Sequence, residues 1–193
     1  MAAYKKHVLL TGPPGIGKTT LCSKVKQALA SRGVPTQGFY TEEIRGPGGG
    51  ARVGFDVVTL DGGRGPLARV KTTGSKQRGP SVGSYLVDIQ SFEQLALPAI
   101  TKTVGSGIII IDEIGKMELF SQTFSRAIQD LFDGGHSPIL ATVPIARQKP
   151  IHLVEQLKQR SDVTLLEVSK CNRNTLQDKV VELILQTAAH KPT

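Results

Sequence analysis

The chain has 193 residues, of which 39% are hydrophobic and 21% charged, the balance of a soluble globular protein with a sizeable core. Its formal net charge of +8 comes from dispersed positive residues, without a basic stripe interleaved with aromatics, so a nucleic-acid partner stays open but is not favoured. No apolar run approaches the ~20 residues of a membrane span, and the first strand-like run begins too near Met1 for a signal or transit peptide. Cys22 and Cys171 form neither a disulfide framework nor a zinc site, so two free thiols in a reducing cytoplasm are expected; the chain is expected to be a monomer, built as one domain over 1–193.

Val8-Leu9-Leu10 reads as a buried parallel strand. It runs into Gly12-Pro13-Pro14-Gly15-Ile16-Gly17-Lys18-Thr19, a full match to G-x-x-x-x-G-K-[ST] (the Walker A pattern), and a helix to about Ser31 follows with Leu21, Val25 and Leu29 on one face. Strand, glycine loop and helix form the context in which this motif binds phosphate. The glycines let backbone N–H groups close on phosphate oxygens, and the prolines restrict the loop before binding. Lys18 is placed to reach the β- and γ-phosphates, the Thr19 hydroxyl to ligate Mg²⁺, and the helix N-terminus to add its dipole.

Gln37–Ile44 reads as a second strand, ending at Glu42 and Glu43 near the edge where a doubly wound sheet places its ligand site. Glycine-rich Gly46–Gly50 precedes an alternating strand, Arg52–Leu60. Gly62-Gly63 and Gly65-Pro66 mark a turn before Leu67–Lys71, a polar loop spans Thr72–Gly79, and Val82–Ile89 is again strand-like. Residues from about 45 to 90 are thus expected to form an antiparallel β insertion that borders the nucleotide site without supplying its chemistry. Ser91-Phe92-Glu93-Gln94 fits a capping box opening a helix to about Val104, with a kink or break expected at Pro98.

After Gly105-Ser106-Gly107, Ile108–Ile111 reads as a strand buried on both faces, ending in Asp112-Glu113. An acidic pair there is the Walker B arrangement if this strand lies near the first. Asp112 then holds the Mg²⁺ shell through water, as is usual in such sites, while Glu113 orients and deprotonates an attacking water. Leu119–Phe132 keeps helical period and stops at Gly134-Gly135. Pro138–Val143 is another buried strand, whose Thr142 is either a polar sensor of the γ-phosphate or simply packed. A short helix (about Ile151–Gln159), a last strand (Val163–Val168) and a final helix carrying Leu176, Val180, Leu183 and Ile184 complete the chain. Between the last two, Asn172 and Arg173 are candidate base contacts; Asn172 or Asn174 as a helix cap is an equal reading. The loop has no Asp to accept from guanine, which fits low base selectivity.

These stretches resemble one family over nearly the whole chain: TGPPGIGKTT, GFYTEEIR, RVGFDVVTL, SFEQLALP and IIIIDEIGKMELF are similar to the cancer-related nucleoside-triphosphatases, small P-loop NTPases related to thermophile nucleoside-triphosphatases. The resemblance implies an α/β three-layer sandwich with a mainly parallel sheet. It implies slow hydrolysis of ATP, GTP, CTP and UTP to the diphosphate and phosphate, with nucleotide contacts from Gly12 to Thr19 and from Ile108, Ile109, Ile110, Ile111, Asp112, Glu113, Ile114 and Gly115. Catalysis falls to Lys18 and Glu113, and Mg²⁺ to Thr19 and Asp112. Two alternatives compete: a P-loop kinase that uses Glu42 or Glu43 toward a hydroxyl acceptor or nucleic-acid end, and a nucleotide-dependent switch. No arginine-rich lid segment supports the kinase, and Lys116, Arg45, Arg69 and Arg173 are all candidate charge stabilisers.

Overall fold

The computed structural model describes residues 5–72, 78–102, 107–134, 137–146 and 149–189. The expected loop between Thr72 and Gly79 lies mostly outside these residues, as do Val104, Gly105, Ser106 and Gly135.

Among the described residues, nine strands form one sheet. Five lie parallel, in the order β2 (Thr36–Arg45), β7 (Ile108–Asp112), β8 (Ile139–Thr142), β1 (His7–Thr11) and β9 (Val163–Glu167). Beyond β2 the sheet continues through β3 (Arg52–Thr59), β4 (Arg64–Val70), β6 (Tyr85–Val87) and β5 (Ser81–Val82), each pair antiparallel. The insertion is therefore a wing of the same sheet, hydrogen-bonded to β2 along most of its length.

Helices α1 (Lys18–Ala30) and α5 (Leu176–Ala189) cover one face of the parallel strands; α2 (Ile89–Thr101), α3 (Gln122–Gly134) and α4 (His152–Gln159) cover the other. The four isoleucines show why β7 is apolar without interruption. Ile108 and Ile110 pack toward Leu21, Val25 and Val180, while Ile109 and Ile111 pack toward Phe92, Phe124 and Ile128. Phe39, Phe92 and Phe124 meet at ring-centroid distances of 5.8, 5.9 and 4.9 Å and pin β2, α2 and α3 together.

Some local expectations change. Val82–Ile89 is not one strand: Gly83, at φ 56°, turns it into the β5–β6 hairpin, and helix α2 starts directly after. The cap of α2 is Asp88, whose side chain accepts the Ser91 N–H at 2.9 Å, so Ser91 lies inside the first turn. The helix runs through Pro98 without a break, one turn from its end. Pro66 lies within β4, where a register shift opposite Phe55/Asp56 and an unpaired second edge accommodate its missing N–H. Leu119 and Phe120 belong to a separate 3₁₀ turn, because the Ser121 hydroxyl accepts the Phe124 N–H and starts α3 there.

All five parallel strands end on one side. The loops after β1, β7, β8 and β9 consequently share one edge of the sheet, where open α/β sheets place their ligands.

Candidate active site

The Gly12–Thr19 loop leaves β1 with Gly12, Gly15 and Gly17 all at positive φ. At Gly12 the backbone passes so close to the end of β9 that a Cβ would stand 2.6 Å from the Val168 oxygen. Gly17 is the N-cap of α1 and supplies no side-chain cap, so the first-turn N–H groups face the hollow of the loop. Lys18 folds back over this hollow, donating to the Gly12 oxygen at 3.1 Å and the Pro13 oxygen at 3.4 Å.

β8 separates β1 from β7, so the acidic pair is one strand removed from the glycine loop and reaches it across the end of β8. Thr142, at that end, donates its hydroxyl to Asp112 Oδ1 at 2.5 Å. It is packed and polar at once, and its visible role is to orient Asp112. Asp112 Oδ2 is buried and has no hydrogen-bond partner. Burial pushes the Asp112 carboxyl up, against the Thr142 and Thr19 hydroxyls and the Lys18 charge, which favour ionisation.

Glu113 Oε2 stands 3.9 Å from Lys18 Nζ. Burial also raises the Glu113 pKa; Lys18 pulls it down and Asp112 adds to the rise. A third carboxyl lies beneath. Glu118, 5% exposed, is pushed up to about 8 by burial and then by the neighbouring Glu113 charge. Gly115 makes room for both: a Cβ there would meet Glu113 Oε1 at 2.6 Å and Glu118 Oε2 at 3.0 Å. Glu118 was not legible as a site residue. Its one sequence signal is a charge set between Met117 and Leu119 in an otherwise apolar run.

These groups open on a cleft of about 690 Å³ lined by Lys18, Thr19, Asp112 and Glu113, by Glu43 at the end of β2, and by Arg52, Phe55 and others of the antiparallel wing. The second segment expected to contact nucleotide divides: Ile108–Ile111 and Ile114 are core residues that position it, while Asp112 and Glu113 reach the cleft. Arg173 lies against the glycine loop, its guanidinium donating to the Ile16 oxygen at 3.4 Å. The Asn172 amide holds its own loop, accepting the Ser169 N–H at 2.8 Å and donating to the Glu167 oxygen at 2.9 Å.

Glu42 and Glu43 are both engaged. Glu42 pairs with Arg64, and Glu43 with Arg45 (2.6 Å) and Arg52. The Arg52 hydrogen bond holds the Glu43 carboxyl below its usual range. Arg69 is tied to Asp56 at 2.5 Å, away from this cleft.

Known proteins share this architecture. A profile described as NTPase matches residues 7–181. The human protein named cancer-related nucleoside-triphosphatase is 49% identical over 185 residues, covering 93% of this chain and 96% of its own length. Nucleoside-triphosphatase THEP1 of Aquifex aeolicus is 34% identical over 183 residues, covering 92% and 98%. The solution structure of the human protein superposes with a TM-score of 0.82 over 94% of this chain and 98% of that one. The crystal structure of Aquifex aeolicus THEP1 gives 0.76 over 92% and 98%. With the profile match spanning nearly all of the sheet and its helices, the chain belongs to the NTPase family.

Proposed function

We propose that the protein is a Mg²⁺-dependent nucleoside-triphosphatase that converts ATP, GTP, CTP and UTP to the diphosphate and phosphate with little base preference. The observation that carries this reading is the placing of Glu113 across the phosphate hollow from Lys18, at 3.9 Å, in one cleft with Asp112 and Thr19. The names of the relatives as nucleoside-triphosphatases support it.

The donor set fits Mg²⁺. Asp112 Oδ2 is a buried carboxylate oxygen without a partner, and the Thr19 hydroxyl lies beside the same carboxyl. Mg²⁺ bound there supplies charge neutralisation for the triphosphate. In the Walker A loop, backbone N–H groups and Lys18 hold the β- and γ-phosphates and oppose charge building on their oxygens. Glu113, the Walker B glutamate, positions a water and takes its proton as the water oxygen bonds to the γ-phosphorus and the bridging bond breaks. Thr142 keeps Asp112 in register. Arg173 offers a flat cationic surface to any base, while the Asn172 amide shapes the loop beneath it.

Glu42 and Glu43, the carboxylates a kinase would use toward an acceptor, are neutralised by arginines, which disfavours that alternative. The same reading takes the chain as a single-domain monomer of the cytoplasm. Two unpaired thiols suit a reducing compartment, and among the described residues no helix is long and apolar enough to cross a membrane.

Phosphate release from each of the four triphosphates, with Mg²⁺ or with chelator and without an acceptor, tests the proposal. Release from all four that stops on chelation is expected. Release that needs one particular hydroxyl acceptor or an RNA overturns it.

A further inference from the structure

The antiparallel wing also lines the cleft that Glu113 faces, and there it carries a cation. Arg52 opens β3 and lines the same cleft as Lys18, Thr19, Asp112 and Glu113. Of the arginines weighed from sequence, Arg45 and Arg69 do not line this cleft, and Arg173 lies against Ile16. Lys116 does line it, but an ammonium lacks the planar fork that matches phosphate.

The way Arg52 is held is informative. Its guanidinium pairs with the Glu43 carboxylate, sits 5.3 Å from the centre of the Phe55 ring, and is also drawn to the Tyr85 hydroxyl. It is 43% exposed, so these contacts are weak and screened by water. Glu43 has a second cation, Arg45, at 2.6 Å. Arg52 can therefore leave Glu43 without stranding an unpaired carboxylate. A triphosphate in the cleft offers it a more highly charged partner with bidentate geometry, and the Phe55 face lets the guanidinium swing without losing its apolar support.

We propose that Arg52 exchanges Glu43 for the γ-phosphoryl group when nucleotide fills the cleft, and stabilises the charge that develops there during hydrolysis. The inference rests on the hydrolase reading above. It gives the wing a chemical part beyond the bordering role expected from its sequence position. Arg52 stays protonated throughout: the water proton goes to Glu113, the new bond joins the water oxygen to the γ-phosphorus, and the bridging oxygen leaves with its electron pair on the diphosphate.

The test uses the full chain with Mg²⁺ and ATP, comparing the parent with Arg52→Ala and Arg52→Lys. An exposed pair of this kind contributes about 0–1 kcal/mol to stability, so both variants should unfold at the parent temperature. For Arg52→Ala, kcat should fall by about 10²–10³-fold, with nucleotide affinity changed less than about tenfold. Arg52→Lys should recover little of the loss, and free guanidinium should restore part of the Arg52→Ala rate, which a merely structural arginine would not allow. A folded Arg52→Ala that keeps kcat within about threefold of the parent overturns this proposal and leaves hydrolysis standing. A parent that releases no phosphate from any triphosphate removes the underlying reading instead. A loss matched by an equal loss of nucleotide binding assigns Arg52 to ground-state binding and also overturns the proposal.

Discussion

At the N-terminal ends of the central strands, charge is closed off. Arg160 donates to Asp162 through two nitrogens at 2.9 Å each, to Asp133 at 2.5 Å and to the Phe132 oxygen at 3.0 Å. Asp162 is held below the usual carboxylate range by that guanidinium. His7, buried beside it, is neutral: burial lowers it to about 4 despite Asp162, and its Nδ1 accepts the Ile139 N–H at 3.2 Å. At the C-terminal ends the balance is reversed. Asp112, Glu113 and Glu118 crowd together beside Lys18, with Lys116 on the same cleft, and burial raises all three. The same sheet thus carries one end whose charges satisfy each other and one where three raised carboxyls share a single lysine contact, Lys18 at 3.9 Å from Glu113. The difference between the ends can be broken residue by residue.

The largest effect is expected at Glu113. Glu113→Gln keeps shape and removes the proposed base, so kcat should fall by about 10²–10⁴-fold while Mg²⁺–nucleotide still binds. Glu42→Gln, which changes only a surface pair with Arg64, should stay within about fivefold of the parent. Single-turnover hydrolysis with a nucleotide titration checks both; the reverse pattern would reinstate the kinase. Lys18→Ala should follow with a loss of about 10²–10³-fold, the scale of one preorganised donor, in a protein whose unfolding temperature is unchanged. Near-parental turnover there would remove the phosphate-loop assignment.

The glycine loop, β7 and the acidic pair were legible because each motif is local: a strand, a spacing and a charge contiguous in the chain. The wing was legible as antiparallel strands for the same reason. What escaped depends on contacts far apart in sequence. Thr142 touches Asp112 only because β8 inserts between β1 and β7, and pattern along the chain does not reveal strand order. Glu118 shows along the chain only as a charge between Met117 and Leu119, and Arg52 as one strand arginine among many. Asp88 does not read as a cap from pattern, because the strand-like run before Ser91 hides the Gly83 turn. Glu42 and Glu43 stood out as acids, while the arginines that neutralise them lie partly on β3 and β4, across the strand ladder.

Thr142 gives a smaller effect that sharpens the contrast. Thr142→Val preserves volume and leaves Asp112 Oδ1 as unpartnered as Oδ2. With Asp112 as the proposed metal ligand, loss of its orienting hydrogen bond should cost about 10–100-fold in metal affinity or activity. The Mg²⁺ concentration for half-maximal turnover should therefore rise by that order. An unchanged Mg²⁺ dependence would mean that Thr142 is only core.

The smallest effect per step concerns stability, where the two ends should pull in opposite directions with pH. His7 has a native pKa of about 4 against an ordinary 6.5, so the unfolded chain binds more protons between those values and stability falls as pH drops from 6.5 toward 4. Glu118 has a native pKa of about 8 against 4.5, so the native state holds the extra proton, and stability falls as pH rises from 4.5 toward 8. Between pH 4.5 and 6.5 these two slopes oppose each other. Above 6.5 only Glu118 of this pair still acts, at up to about 1.4 kcal/mol, or tenfold in the unfolding constant, per pH unit. Glu118→Gln cannot ionise and should remove that decline, so the variant gains on the parent from pH 6.5 to 8 in denaturant titrations without nucleotide or Mg²⁺. A His7→Gln variant should leave that alkaline limb alone and alter only the acid side. Equal pH profiles for the parent and Glu118→Gln above 6.5 would show that Glu118 is ionised in the folded protein, and that the acidic end holds its charges by some pairing other than burial of a proton.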